Sequence, residues 1–184
     1  MIEYLLIGLL IGILILFVYY YNRIAVLSNR IDNAWSQIDV QLQKRADLVP
    51  NLVKVVEAYM KHEQKVLIKV TEARSALLKA SSVEERARAG NMLEDALKSL
   101  FAVAENYPDL KASQNFLSLQ EELSDIENKI AYTRQFYNDS VLHYNNLVTT
   151  IPGIWFASLI NKKQKPYLEV PKEKKEAPKV EFDV

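Results

Sequence analysis

Basic and acidic residues balance at 23 each across 184 residues, so no global field recruits nucleic acid or anionic substrates. The chain holds no cysteine, which excludes disulfides, thiol catalysis, cysteine zinc sites and a lipoprotein anchor. With only four glycines and with its six prolines at boundaries or in the tail, it reads as mostly helix.

Residues Tyr4 to Tyr21 form a run of eighteen without a charge or strong polar group. As a helix that run reaches roughly 27 Å, close to the thickness of a bilayer's hydrocarbon core. The start Met1-Ile2-Glu3 lacks a basic residue and no A-x-A site follows, so we read a retained anchor rather than a cleaved signal. Arg23 and Arg30 follow the run, against Glu3 before it. This bias places the amino terminus outside and the remaining chain on the cytoplasmic side of a cell membrane, a single-pass arrangement. Tyr4 at one end and Tyr19, Tyr20 and Tyr21 at the other suit the two lipid interfaces. Gly8 and Gly12 stand four apart, a spacing that serves close helix pairing in a homo-oligomer and also arises by chance.

Beyond Asn22, Leu27, Ile31, Ala34, Trp35, Ile38 and Leu42 recur at helical steps, with Trp35 read as core. No breaker separates them from the span, so the anchor runs on into the first bundle helix. At Asp47 to Pro50 the sequence predicts a turn and a new helix, since Asp47 can cap and Pro50 suits a first turn. The alternative is a kink in one continuous helix. The second helix is expected to carry Leu52, Val56, Met60, Leu67, Val70, Ala73 and Leu77, with Lys61, Lys65 and Lys69 on a solvated face. Ser82 with Glu85 three residues later has the capping-box pattern of a third helix. Its stripe is read as Ala87, Met92, Ala96, Leu100, Phe101 and Ala104, with Glu94 and Lys98 as an i,i+4 pair and Gly90 either weakening the helix slightly or allowing close packing. Tyr107-Pro108-Asp109 ends it.

The fourth helix, about 113–148, is the clearest. Phe116, Leu119, Leu123, Ile126, Ile130, Thr133, Tyr137, Val141, Tyr144 and Val148 alternate steps of three and four, a bundle seam. The hydroxyls of Tyr137 and Tyr144 need partners if buried, with Asn138 and Asn145 beside them. Trp155 and Phe156 in an apolar patch, then Lys162 and Lys163, suit either a membrane interface or a lid on the bundle. The expected organisation is therefore an anchor over 1–22, a bundle over 23–150, the apolar segment over 151–161 and a disordered charged tail over 162–184. The fold class is all-α: one transmembrane helix followed by an antiparallel up-and-down four-helix bundle.

For chemistry the sequence offers little. His62 and His143 lack the Glu-x-x-His spacing of carboxylate-bridged metal bundles, and Glu121, Glu122 and Asp125 read as a solvated face. P-loop, dinucleotide and nucleophile-elbow motifs are missing, and bases are interleaved with acids rather than striped for nucleic acid. We therefore assign no catalytic, cofactor-binding or metal residues, no cofactor and no nucleic-acid partner.

Several blocks carry a resemblance. Asn29 to Leu42 (NRIDNAWSQIDVQL), Arg45 to Val53 (RADLVPNLV), Tyr107 to Ala112, Glu121-Glu122-Leu123, Glu127 to Ala131, Tyr137-Asn138 with Tyr144-Asn145, and Glu176 to Phe182 together resemble the LemA family. Gln135-Phe136 and Thr149-Thr150 depart from it, standing where more basic residues are usual. The resemblance implies a four-helix bundle behind one amino-terminal span, with a turn at Pro50. It implies no agreed catalytic residue, and links to membrane organisation, including magnetosome formation, and to neighbouring membrane proteases. The expected role is a scaffold or adaptor whose partners are membrane lipid and a membrane protease or envelope protein. The rival readings are direct membrane remodelling through the anchor plus the Trp155 segment, and a helical enzyme or ligand-binding bundle.

Overall fold

The computed structural model describes residues 1–169, and all regular structure within them is helical. The elements are α1 (Ile2–Glu57), α2 (Gln64–Lys79), α3 (Val83–Ala104), the single turn α4 (Pro108–Lys111), α5 (Gln114–Thr149) and α6 (Gly153–Leu159). They form two compact units: Met1–Ile38 with Ile130–Tyr167, and Asp39–Lys129 with Leu168 and Glu169. The long helices α1 and α5 contribute to both.

In the second unit, the end of α1, then α2, α3 and the start of α5 make an antiparallel four-helix bundle, because connections this short force successive helices to reverse. Leu42, Val49, Leu52 and Val56 from α1 are buried with Val70 and Leu77 from α2, Leu93 and Leu100 from α3, and Phe116 and Leu123 from α5. Burying side chains of this size contributes about 1.5–3 kcal/mol each, as an upper estimate. At Gly90 the backbone of α3 approaches α1 closely: a Cβ there would lie 2.6 Å from Leu42 Cδ2. Of the two readings of that glycine, the structure shows the close packing.

The expected turn at Pro50 is not. α1 continues through Pro50 to Glu57, and the chain reverses over 58–63 instead. Proline in a helix leaves the carbonyl four residues earlier without its donor. Here that carbonyl belongs to Ala46, and Arg74 of α2 donates its Nε–H to it at 2.8 Å. The side chain thus replaces the backbone bond that Pro50 cannot make, and the helix persists.

The capping box does form at the start of α3: Ser82 accepts from Glu85 N–H at 3.1 Å, while Glu85 Oε2 accepts from Ser82 N–H at 3.2 Å. The stripe of α3 is rotated from the expected one. Met92 is exposed, and Leu93 and Leu97 enter the core with Ala96, Leu100 and Ala104. The close approach at Gly90 sets this face. The α5 seam matches the sequence from Phe116 to Val148, with only Leu119 half-exposed.

In the first unit, α1 and α5 run antiparallel. Trp35 meets Tyr137 edge-to-face at 6.5 Å, and the Arg30 guanidinium lies 4.7 Å from the Phe136 ring centroid. The tail expected to be disordered from Lys162 is ordered at its beginning. Asn145 donates its amide N–H to Lys165 O and accepts from Lys165 N–H, both at 2.9 Å, so one side-chain amide acts as a peptide edge. Lys165 Nζ also reaches Asp32 Oδ1 at 2.8 Å. Residues 170–184, the remainder of that tail, lie outside the described residues.

Candidate functional site

The first unit contains one helix segment long and apolar enough to cross a membrane, and none of its apolar window is buried within the protein. Leu5, Leu9, Leu10, Leu14 and Ile15 are each more than half exposed. An uninterrupted apolar surface of this kind marks contact with lipid or another apolar body. Tyr4 and Tyr21 bracket it, and Gly8 and Gly12 have open space where a Cβ would stand.

α6 packs against the carboxyl-terminal end of that segment. The Phe156 ring stacks on Tyr20 with centroids 4.9 Å apart, and meets Phe17 edge-on at 6.3 Å. Phe17 lies one turn, roughly 5 Å, further into the apolar run than Tyr20. Around this contact Trp155, Ile151 and Leu159 are exposed, Trp155 at 60%. α6 ends in a left-handed cap. Asn161, with φ 52°, sits where asparagine is tolerated, and Lys162 N–H bonds back to Ala157 O at 2.9 Å. Lys162 and Lys163 follow that turn and are exposed. The structure therefore seats Phe156 on Tyr20, with Trp155 next to it in α6 and the two lysines just past the end of that helix.

Burial and the nearby Asp32 charge push the Tyr144 hydroxyl above its ordinary pKa, burial being the larger cause. Lys165 Nζ lies 5.8 Å from the ring centroid of Tyr144. The Tyr137 hydroxyl points to Pro166 O at 3.5 Å, a long bond, so the ordered start of the tail serves the seam tyrosine.

The second unit holds a polar pocket of about 240 Å³, lined by Arg45, Glu94, Lys98 and Glu127 with Leu97, Phe101, Leu123, Gln120 and Ser124. Arg45 is 2% exposed; its guanidinium is ion-paired with Glu127 and donates to Gly90 O at 3.3 Å. Removing Glu127 leaves the buried Arg45 charge uncompensated, at about 3–5 kcal/mol. Glu94 is 4% exposed, and its Oε2 receives no hydrogen bond among the described residues. Lys98 Nζ stands 2.9 Å from Glu94 Oε1, forming the expected i,i+4 pair on a buried acid. An unsatisfied buried polar group costs about 1–3 kcal/mol, and a charged one more.

The sequence reading missed this pocket. Arg45 and Glu94 stand in register with Leu42 and Val49 of α1 and with Leu93 and Leu97 of α3, so charges at core positions of the stripe were the available signal. Glu121, Glu122 and Asp125 are exposed on α5, and no group of three metal-ligating side chains gathers among the described residues.

The LemA family profile matches residues 34–182. Protein LemA of Metamycoplasma hominis is 32% identical over 127 residues, covering 66% of this chain and 56% of that protein. Magnetosome protein MamQ of Magnetospirillum gryphiswaldense is 22% identical over 173 residues, covering 80% of this chain and 64% of that protein. Magnetosome protein MamQ 2 of Paramagnetospirillum magneticum is 23% identical over 175 residues, with coverages of 81% and 64%. The chain thus spans less than two thirds of the length of each of these relatives. The profile covers the Arg45 pocket, Pro50, the α5 seam and α6, and on that extent of match the chain belongs to the LemA family.

Proposed function

We propose that this protein is a non-enzymatic, membrane-anchored adaptor that presents its helical bundle to a protein partner, a membrane protease or an envelope component. One observation carries this reading: α1 is a single helix over Ile2–Glu57, exposed and apolar at its start and part of a packed core at its end. The same helix thus supplies both the exposed apolar segment and core positions of the bundle. The magnetosome names of two relatives support a role in a larger assembly. In our reading the amino terminus is outside and the bundle cytoplasmic, following Arg23 and Arg30. Gly8 and Gly12 would serve pairing of two copies through their spans. Crosslinking in intact membranes followed by mass spectrometry should recover one reproducible partner, and recovery of none across growth conditions would remove the adaptor reading.

The contact of Phe156 with Tyr20 favours a second reading, direct engagement of lipid by α6. An amphipathic segment with Trp on its apolar side and lysines beside it lies at the headgroup boundary. The purified protein should then deform vesicles, and Trp155→Asp with Leu159→Asp should abolish deformation. Undiminished deformation by that double variant would exclude α6 as the agent.

A further inference from the structure

The pocket in the second unit is built around a buried acid, Glu94, whose Oε1 faces the half-exposed Lys98 and whose Oε2 has no donor among the described residues. Arg45 already serves Glu127 and Gly90 O, so it is not offered to Glu94. Lys98 Nζ lies 2.9 Å from Oε1, from a side chain 48% exposed that can turn out to solvent. A carboxylate has about four lone-pair sites, so room for further N–H donors remains. An anionic occupant would set oxygen against oxygen, and an apolar one would leave Glu94 unsatisfied. The fitting occupant brings positive charge and more than one N–H.

The walls add the rest. Leu97, Phe101 and Leu123 are apolar, which suits a methylene stem. At about 240 Å³ the space falls below the roughly 300–1,000 Å³ of clefts that hold drug-sized ligands. It is the size of a side chain.

We propose that this pocket binds the cationic head of an arginine side chain, and less tightly that of a lysine, presented by a protein partner. A guanidinium is planar, weakly hydrated and bidentate toward a carboxylate, so arginine exceeds lysine at a buried acid. The source of the side chain rests on the adaptor reading; the chemistry of the pocket does not.

The test uses the full chain in lipid nanodiscs, with methyl signals of Leu97 and Leu123 followed by NMR. n-Butylguanidinium should shift both saturably, and n-butylammonium should do so with weaker affinity. Glu94→Gln should weaken both at least tenfold, whereas Asp95→Asn, on the exposed side of α3, should change neither. No saturable shift in the wild-type protein overturns the proposal without recourse to any variant, as does equal binding by folded Glu94→Gln. Tighter binding of putrescine than of either monocation would assign the pocket to free diamines and overturn it too. In parallel, a photocrosslinking residue placed at Ser124, on the pocket rim, probes the partner in intact membranes. If the wild-type background captures no reproducible partner, the adaptor reading fails. If Glu94→Gln captures the same partner in equal yield, the pocket inference alone fails.

Discussion

Pro50 and Arg74 form a pair that neither residue announces. The Ala46 carbonyl needs a donor because Pro50 has none, and Arg74 provides it. Arg74→Met should therefore cost on the order of 1.5–3 kcal/mol of stability, the range for a hydrogen bond to a charged group. In a Pro50→Ala background, where a backbone N–H is restored, the same change should cost markedly less. Urea unfolding of the four proteins in micelles measures the coupling, and additive effects would show that Arg74 does not compensate the proline. Ser82 and Glu85 offer a second test. The backbone N–H groups of Ser81 and Ser82, joined by the Ser81 hydroxyl, hold the Glu85 carboxyl below its ordinary pKa. A lowered folded value means that the stabilisation is complete above the ordinary glutamate range and is lost as pH falls through the lowered one. Ser82→Ala should cost about 1 kcal/mol. Glu85→Gln should flatten the acid limb of the stability–pH curve, and an unchanged limb would remove Glu85 from its cause.

Among the elements, α6 depends on one glycine. A Cβ at Gly153 would collide with the Leu147 carbonyl, a backbone atom that cannot move aside as a side-chain end can. Gly153→Ala should displace α6 from α5 and separate Phe156 from Tyr20. Trp155 fluorescence, recorded with Trp35 replaced by Phe, should respond: quenching by lipid-borne quenchers should change in Gly153→Ala and remain in Gly90→Ala. Equal quenching in both variants would show that α6 keeps its seat without the glycine. Gly90 behaves differently because its neighbour is the end of the buried Leu42 side chain. Gly90→Ala gains about 1 kcal/mol of helix propensity and loses about 1–3 kcal/mol to overpacking. Leu42→Val should reverse the net sign by opening that space.

For the whole molecule, the absence of cysteine makes topology directly measurable. A single cysteine at the exposed Lys79 should resist a membrane-impermeant maleimide in intact cells and react after permeabilisation. Labelling without permeabilisation would place the bundle outside and reverse the orientation proposed from Arg23 and Arg30.

The apolar segment long enough to cross a membrane, the helical class, the α5 seam and the capping box were all legible in the sequence. Each of these is local: apolar length, a repeat of three and four, or two residues three apart decides it. Tertiary structure decided what depends on a distant partner. Pro50 stays within a helix because Arg74 arrives from α2, and the α3 stripe turns to bury Leu93 because Gly90 admits Leu42. The start of the charged tail is ordered because the Asn145 amide offers Lys165 both a donor and an acceptor. The polar pocket was hidden for the same reason. Pattern reading turns every charge outward, whereas Arg45 is buried because Glu127, 82 residues along the chain, neutralises it.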